Sequence, residues 1–434
     1  MFLRKKRNFF MNYFNSSLKF LEKLIKIPSV EGVPEKNAPF GKNVANALSL
    51  FLEEAQTLGF GVKNYEGYAG EVIFGNPNAT PENCVGILAH LDVVPEGEGW
   101  SVPPYALTEQ GEYLMGRGVL DDKGPAAVTL YAMKKLLDEG FTPSKTVKLI
   151  LGCNEETGWR CMDYYTTHAK MPETGFSPDA EFPVIYAERG ILHARFFFPL
   201  PKGVVSFTAG ERANMVPAKA QAKVNAEIPL SLLEKHGVKM VSGLLQTEGV
   251  QAHGSTPWEG KNACVPMLNF LADAGINLGA LPHFFADGNG VSQAADETGN
   301  SSFSPNVIRV EGNTLCVTAD IRYAPSKRKE VVDKLNAYGV RYEILHEQPP
   351  LLQPVESKLI QTLLGVYNEF TGENATPIAI GGGTYARAMK NGVAFGPCFL
   401  SEPSTAHQAD EKIKKAHLFC AYQTYGEAIK RLSK

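Results

Sequence analysis

Three short apolar runs rich in Val and Ile, "CVGILAHLDVV", "TVKLILGCNEE" and "FPVIYAE", are the feature that most restricts how this chain can fold. Between the first two lies "GPAAVTLYAMKKLLDEG", which reads as a helix begun by Pro125 and closed by Gly140. Buried strands separated by helices pack as an α/β structure around a largely parallel sheet. In such sheets the loops at the carboxyl ends of the strands are where ligands are held.

Upstream, "SLKFLEKLIKI" and "NVANALSLFLEEAQTLGF" show helical spacing, joined by the loop "PSVEGVPEKNAP". The opening "MFLRKKRNFFMNYFNSSLKF" starts basic but lacks the unbroken apolar core and small-residue cleavage site of a signal peptide. It is expected to be a ragged terminus before the first helix, with Met11 as an alternative start. Near residue 190 the pattern changes: "AKAQAKVNAEI" and "NTLCVTADIRY" alternate apolar and polar, as half-exposed strands do, and the helical "NACVPMLNFLADAG" and "KRKEVVDKLNAYG" are interspersed. That mixture predicts a small α+β sandwich in which two helices cover one sheet. After "LHEQPPLLQP", helix–strand alternation returns in "VESKLIQTLLGVYNEFTG", "AIGGGTYARAM", "VAFGPCF" and "AHLFCAYQTYGEAIKRL". The expected organisation is therefore a first domain in two parts, 1–189 and 351–434, with a second domain, 190–350, inserted between them. A chain of 434 residues exceeds what one core usually organises, which agrees with two domains.

A formal net charge of -3 supplies no basic face for nucleic acid or an anionic membrane, so neither is expected as a partner. No stretch approaches the roughly 18 uninterrupted apolar residues of a membrane span. Seven cysteines without a C-x-x-C pair indicate a reducing compartment, and a cytoplasmic location is expected.

The chemistry-bearing residues fall beside the predicted strand ends. His90 and Asp92 close the first apolar run; alone they read as a hydrogen-bonded histidine at a strand end. "GRGVLDDKGP" sets Asp121 beside Asp122, and "LGCNEETG" sets Glu155 beside Glu156. Adjacent acids at a helix start are commonly capping residues or solvated charge. However, paired carboxylates also repel unless a cation or a proton intervenes. Asp179 in "FSPDAEFP" and His407 in "STAHQADE" extend the series. Carboxylates and imidazoles together suit Zn²⁺ or Mn²⁺, and three acids with two histidines suffice for two ions that share one carboxylate. "GGGTYAR" matches neither phosphate-binding glycine pattern, so nucleotide binding is not expected.

These segments, with "AHLDVVPEGEGW", "SPDAEFPVIYAERG", "NMVPA", "AHGSTPWEGKNA", "DIRY" and "AHQADE" in this order along nearly the whole chain, resemble the co-catalytic dinuclear metallopeptidases. That family includes aminoacylases, succinyl-diaminopimelate desuccinylase and glutamate carboxypeptidases. Within it the resemblance is to the PepV-type, carnosinase-like dipeptidase branch. It implies a mostly parallel-sheet zinc-peptidase catalytic domain with an inserted ferredoxin-like lid domain. It further implies two divalent ions, Zn²⁺ or Mn²⁺, bridged by Asp121, with His90 and Asp179 completing one site and Glu156 and His407 the other. Asp92 would steady His90 from behind, and Glu155 would be the general base. His253 would stabilise the oxyanion, while Asn214 and Arg322 would hold the substrate carboxylate. Gly382 and Thr384 would line the site with backbone amides. The implied enzyme is a metal-dependent dipeptidase acting on short unblocked peptides, as a monomer or a homodimer. An N-acyl or N-succinyl amide hydrolase uses the same metals, and a non-catalytic ligand or metal carrier could keep the fold; the carrier would have no need of Glu155.

Overall fold

The structure is a computed structural model that describes residues 2–225 and 228–434. The chain divides into two compact units: one of residues 1–186, 353–378 and 384–434, the other of residues 187–352 and 379–383. Each has its own hydrophobic core.

In the first unit six strands lie side by side in the order Gly61–Tyr65, Ala69–Phe74, Thr146–Gly152, Cys84–His90, Thr174–Ser177 and Asn391–Ala394. The four from Thr146–Gly152 to Asn391–Ala394 run parallel, while Gly61–Tyr65 and Ala69–Phe74 add antiparallel pairs on one side. Ala394 pairs antiparallel with Ile185 on the other side, so the parallel arrangement is confined to the centre. All seven residues of Cys84–His90 and all seven of Thr146–Gly152 are buried, which is why these strands read as unbroken apolar runs without alternation. Each fully buried Ile, Leu or Val there contributes about 1.5–3 kcal/mol of burial free energy. Register brings His90 level with Gly152, and Gly86 with Gly175, so the carboxyl ends of neighbouring strands open together.

Helices Lys42–Thr57, Lys123–Asp138, Lys358–Thr371 and Lys415–Leu432 fall where the sequence period places them. The opening segment departs from the expected ragged start, because one helix spans Phe2–Ile25. No Gly or Pro occurs before Pro28, so nothing in the covalent chain interrupts it. Its carboxyl end is capped from a distance: Lys123 Nζ donates to the carbonyls of Leu24 (3.1 Å) and Ile27 (2.7 Å).

The second unit is built on an eight-stranded antiparallel sheet, in the order Lys239–Val241, Leu244–Glu248, Lys219–Val224, Val204–Ala209, Ser302–Glu311, Thr314–Tyr323, Gly190–Pro199 and Tyr342–Gln348. Along Gly190–Pro199 burial alternates residue by residue, the mark of a strand with one covered face. The two helices legible in the sequence, Cys264–Asp273 and Arg328–Asn336, are joined by the short Leu230–His236 and Leu281–Phe285.

Candidate metal centre

Three consecutive loops at the open edge of the parallel strands deliver acids and one imidazole to a single point. His90 is the last residue of its strand and has no exposed surface. Glu155 and Glu156 follow the strand Thr146–Gly152, and Asp179 follows Thr174–Ser177, whose Ser177 Oγ is tied to the carbonyl of Leu88 at 2.8 Å. Asp121 comes from the loop just before the helix Lys123–Asp138, and His407 from a distant loop in which it adopts a φ of 64°.

The two oxygens of Asp121 face different partners. Oδ1 is 2.8 Å from His90 Nε2, and that nitrogen is 3.6 Å from Asp179 Oδ2. Oδ2 is 3.0 Å from His407 Nε2, which is also 3.0 Å from Glu156 Oε2. One ligand atom from each of His90, Asp121 and Glu156 falls within a span of 4.8 Å. The sequence-predicted set His90, Asp121, Glu156, Asp179 and His407 is therefore brought together, with Asp121 at its middle.

His90 is held from behind by Nδ1–H donating to the backbone carbonyl of Asp92 at 2.9 Å. A hydrogen bond at Nδ1 turns Nε2 towards the acids, the arrangement metal-binding histidines use. The Asp92 carboxylate stands 3.6 Å from Nδ1 and is engaged elsewhere: its two oxygens accept the backbone amides of Glu155 (3.0 Å) and Glu156 (3.1 Å). The carbonyl steadies the histidine, and the carboxylate fixes the turn that carries both glutamates. This division of labour differs from the expectation that the carboxylate itself would orient His90.

Charge in this cluster is out of balance. Against the upward push of burial, His407 and His90 hold the Asp121 carboxyl well below the usual carboxylate range. Burial, then the Asp121 charge, push Glu156 up to about 7 and Asp179 upward as well. Glu155 is raised well above an ordinary glutamate, first by burial. Burial would lower both imidazoles, but Asp121 with Asp179 outweighs it at His90, and Asp121 with Glu156 raises His407 to about 11. Asp122 accepts the His90 amide at 3.1 Å through Oδ2, while its buried Oδ1 has no hydrogen-bond partner among the described residues. Acids so crowded that protons and imidazolium must shield them are a donor set suited to divalent cations. The mixture of carboxylate oxygen and imidazole nitrogen, with no thiolate, fits Zn²⁺ or Mn²⁺.

Glu155 accepts from Trp159 Nε1 at 3.1 Å. Thr384 serves locally, its Oγ1 accepting the Ala386 amide at 3.2 Å to cap the short turn Tyr385–Ala388. Three contributors were not foreseen from the sequence, Trp159, Arg117 and Glu411, while Asp122 was read there as the repelling neighbour of Asp121. Glu411 lies within the quoted "AHQADE", yet nothing in a linear pattern shows that it folds back onto the Asp121 loop.

The remaining predicted residues belong to the second unit. His253 pairs through Nδ1 with Ser255 Oγ at 2.7 Å, and the backbone carbonyl of Asn214 accepts the Gly254 amide at 2.8 Å. Gly254 has to be glycine, because a Cβ there would come within 2.2 Å of Asp320 Oδ2. Arg322 is 4% exposed, and its Nε and Nη2 bind Asp320 at 2.7 and 3.0 Å. Its fork is thus already engaged by an internal carboxylate, which leaves Nη1 as the nitrogen outside that pair. Gly382 falls in the short segment 379–383 of the same unit.

Fold and site together define a metallopeptidase in which an α/β sheet carries clustered acids and histidines and a second unit interrupts the chain. The chain belongs to the peptidase family M20/M25/M40, whose pattern matches residues 86–431. YtjP of Bacillus subtilis (strain 168) is 34% identical over 449 residues, covering 95% of this chain and 96% of that protein. The Beta-Ala-Xaa dipeptidase of Lactobacillus delbrueckii subsp. lactis is 34% identical over 458 residues, covering 96% of each. Among solved structures, human carnosine dipeptidase 1 superposes with a TM-score of 0.63 at 14% identity, covering 100% of this chain and 99% of the other, a likeness of fold. No helix among the described residues is long and apolar enough to cross a membrane.

Proposed function

We propose that the protein is a dipeptidase that hydrolyses the single amide of short unblocked peptides with two divalent ions, Zn²⁺ in preference to Mn²⁺. The observation that carries this reading is Asp121, whose Oδ1 and Oδ2 face His90 and His407 respectively, as a carboxylate shared between two ions must. His90, Asp121 and Asp179 would hold one ion, and Asp121, Glu156 and His407 the other. When bound, such a pair lowers the pKa of water and polarises a carbonyl.

Glu155 takes the proton of the attacking water and delivers it to the amide nitrogen as the C–N bond breaks. Its placement supports that role: Asp92 pins its backbone and Trp159 orients its carboxylate, so it adjoins a ligand without being one. We assign His253 to the developing oxyanion, Asn214 and Arg322 to the substrate's carboxylate, and Gly382 and Thr384 to backbone contacts with the peptide. The dipeptidase name of the Lactobacillus relative supports the substrate class. Seven unpaired cysteines support a reducing, cytoplasmic setting, and the protein would act as a monomer or a homodimer.

The test is turnover of free dipeptides against N-acetyl amino acids, with Zn²⁺ or Mn²⁺ restored to metal-stripped protein. Free dipeptides should be preferred; a preference for the acylated compounds refutes the assignment. Glu155→Ala should keep both ions and lose about 10³-fold in kcat.

A further inference from the structure

The loop that carries Asp121 and the loop that carries His407 are joined by one buried carboxylate. Glu411 is 1% exposed. Its Oε1 accepts three backbone amides of the first loop, those of Gly118 (3.0 Å), Leu120 (2.9 Å) and Asp121 (3.2 Å). Its Oε2 accepts from Arg117 Nη1 at 2.7 Å, and its own backbone carbonyl accepts the Gly116 amide at 3.0 Å. Amides converging in this way form a concave nest that prefers an anion. Gly118, at a φ of 91°, permits the turn that aims its amide inward. Arg117 is fixed in turn, Nη2 donating to the carbonyls of Pro95 (3.3 Å) and Glu96 (3.1 Å) just beyond His90 and Asp92.

Four residues before Glu411 stands His407, and between them Asp410 Oδ1 accepts the Ser101 amide at 2.8 Å. The segment from His407 to Glu411 is therefore anchored at two points. Three ligand-bearing loops meet at the Glu411–Arg117 pair: that of His90, that of Asp121 and that of His407.

We propose that Glu411 is a positioning residue for the metal centre, setting the separation between Asp121 Oδ2 and His407 Nε2 and so the affinity for the ion that those two share. The proposal rests on the dinuclear reading above. Both carboxylate oxygens of Glu411 are taken up by the three amides and Arg117. It acts through the Asp121 amide and through the chain that leads to His407. Groups that orient ligands typically govern metal affinity by about 10–100-fold.

The experiment is calorimetric titration of metal-stripped protein with Zn²⁺ alone, on wild type, Glu411→Gln and Glu411→Asp, with kcat and KM followed as Zn²⁺ is raised. Glu411→Gln removes the charge and, with its oxygen turned to the three amides, sets its NH₂ donor against Arg117 Nη1. Glu411→Asp keeps the charge opposite Arg117, so the fold is retained, but is one methylene too short for its reach. In the variants one of two ions should bind at least about tenfold more weakly. kcat at limiting metal should fall and recover with excess Zn²⁺, while KM stays near the wild-type value. A purely structural role would lower the melting temperature and leave both affinities unchanged; that result overturns the proposal, and Glu411→Asp delivers it even if Glu411→Gln does not fold. If wild type itself binds fewer than two ions, the dinuclear reading falls with it. If wild type binds two and the variants match it, only the role of Glu411 falls.

Discussion

Two clusters in this molecule use the same materials and reach opposite ends. In the first unit Asp121 lies between His90 and His407, with Asp179 and Glu156 beyond. In the second unit Asp320, without exposed surface, lies between Arg322 at 2.7 Å and His193 at 3.5 Å. Against the cost of burial, the Arg322 charge, followed by the neighbouring His193, holds the Asp320 carboxyl below its ordinary range. A guanidinium never gives up its proton and binds a carboxylate through two parallel bonds, so Asp320 is closed off from other cations. Imidazole can release its proton and turn its lone pair on an incoming ion. Whether buried acid becomes a ligand site or a fixed ion pair is decided by which cation stands beside it.

The comparison breaks most sharply at Asp121. Asp121→Ala should deprive both ions of their common oxygen donor, abolish uptake of two equivalents per chain and cut dipeptide turnover by at least about 10⁴-fold, equivalent to about 5.5 kcal/mol. Metal analysis after dialysis together with kcat measurement checks it, and a variant that retained two ions would leave Asp121 without its assigned place.

On the other side, Arg322→Met should leave Asp320 buried beside a neutral side chain, at a cost of about 3–5 kcal/mol. Urea denaturation should register that loss, and hydrogen exchange should confine it to the strands Gly190–Pro199, Ser302–Glu311 and Thr314–Tyr323. Metal uptake should be unchanged; a fall in metal content would contradict the independence of the two clusters.

Chelation sharpens the contrast. Restoring an ion at a hundredfold excess over its Kd stabilises the protein that binds it by about 2.7 kcal/mol. Stripping the ions should therefore speed exchange in the strands Cys84–His90 and Thr146–Gly152 and leave the second unit's sheet unaffected.

The smallest effect is expected at Asp296, in the second unit. Partial burial would raise this carboxyl, but the Ser326 amide at 2.9 Å and the Thr298 hydroxyl at 2.7 Å prevail and bring it from 3.8 to about 2. A carboxyl depressed in the folded state contributes stability that is complete above pH 4 and is lost as pH falls through 2. Asp296→Asn should remove about 1 kcal/mol at pH 6, after allowance for solvent screening, and almost nothing at pH 2. A difference that stayed constant with pH would assign the effect to packing.

Much of the fold was legible because its signals are local. The unbroken apolar runs of Cys84–His90 and Thr146–Gly152 and the alternation of Lys219–Val224 report, within a few residues, how many faces each strand buries. The helical period likewise marked Lys123–Asp138 and Cys264–Asp273. Antiparallel strands flanking the parallel centre were not legible, since pairing direction depends on where a chain returns rather than on the strand's own residues.

At the site, residue type alone marked His90, Asp121, Glu155, Glu156, Asp179 and His407 as candidates, because imidazole and carboxylate chemistry belongs to the residue, while their roles came from the family resemblance. Their partners did not follow from it. That Asp92 holds His90 by its carbonyl and the two glutamates by its carboxylate, that Glu411 gathers three amides some 290 residues upstream, and that Arg322 is engaged by Asp320 two positions away were all settled by packing. Sequence determines which atoms can donate and accept; only the folded backbone decides which pairs come within 3 Å, because that distance is set by contacts remote along the chain.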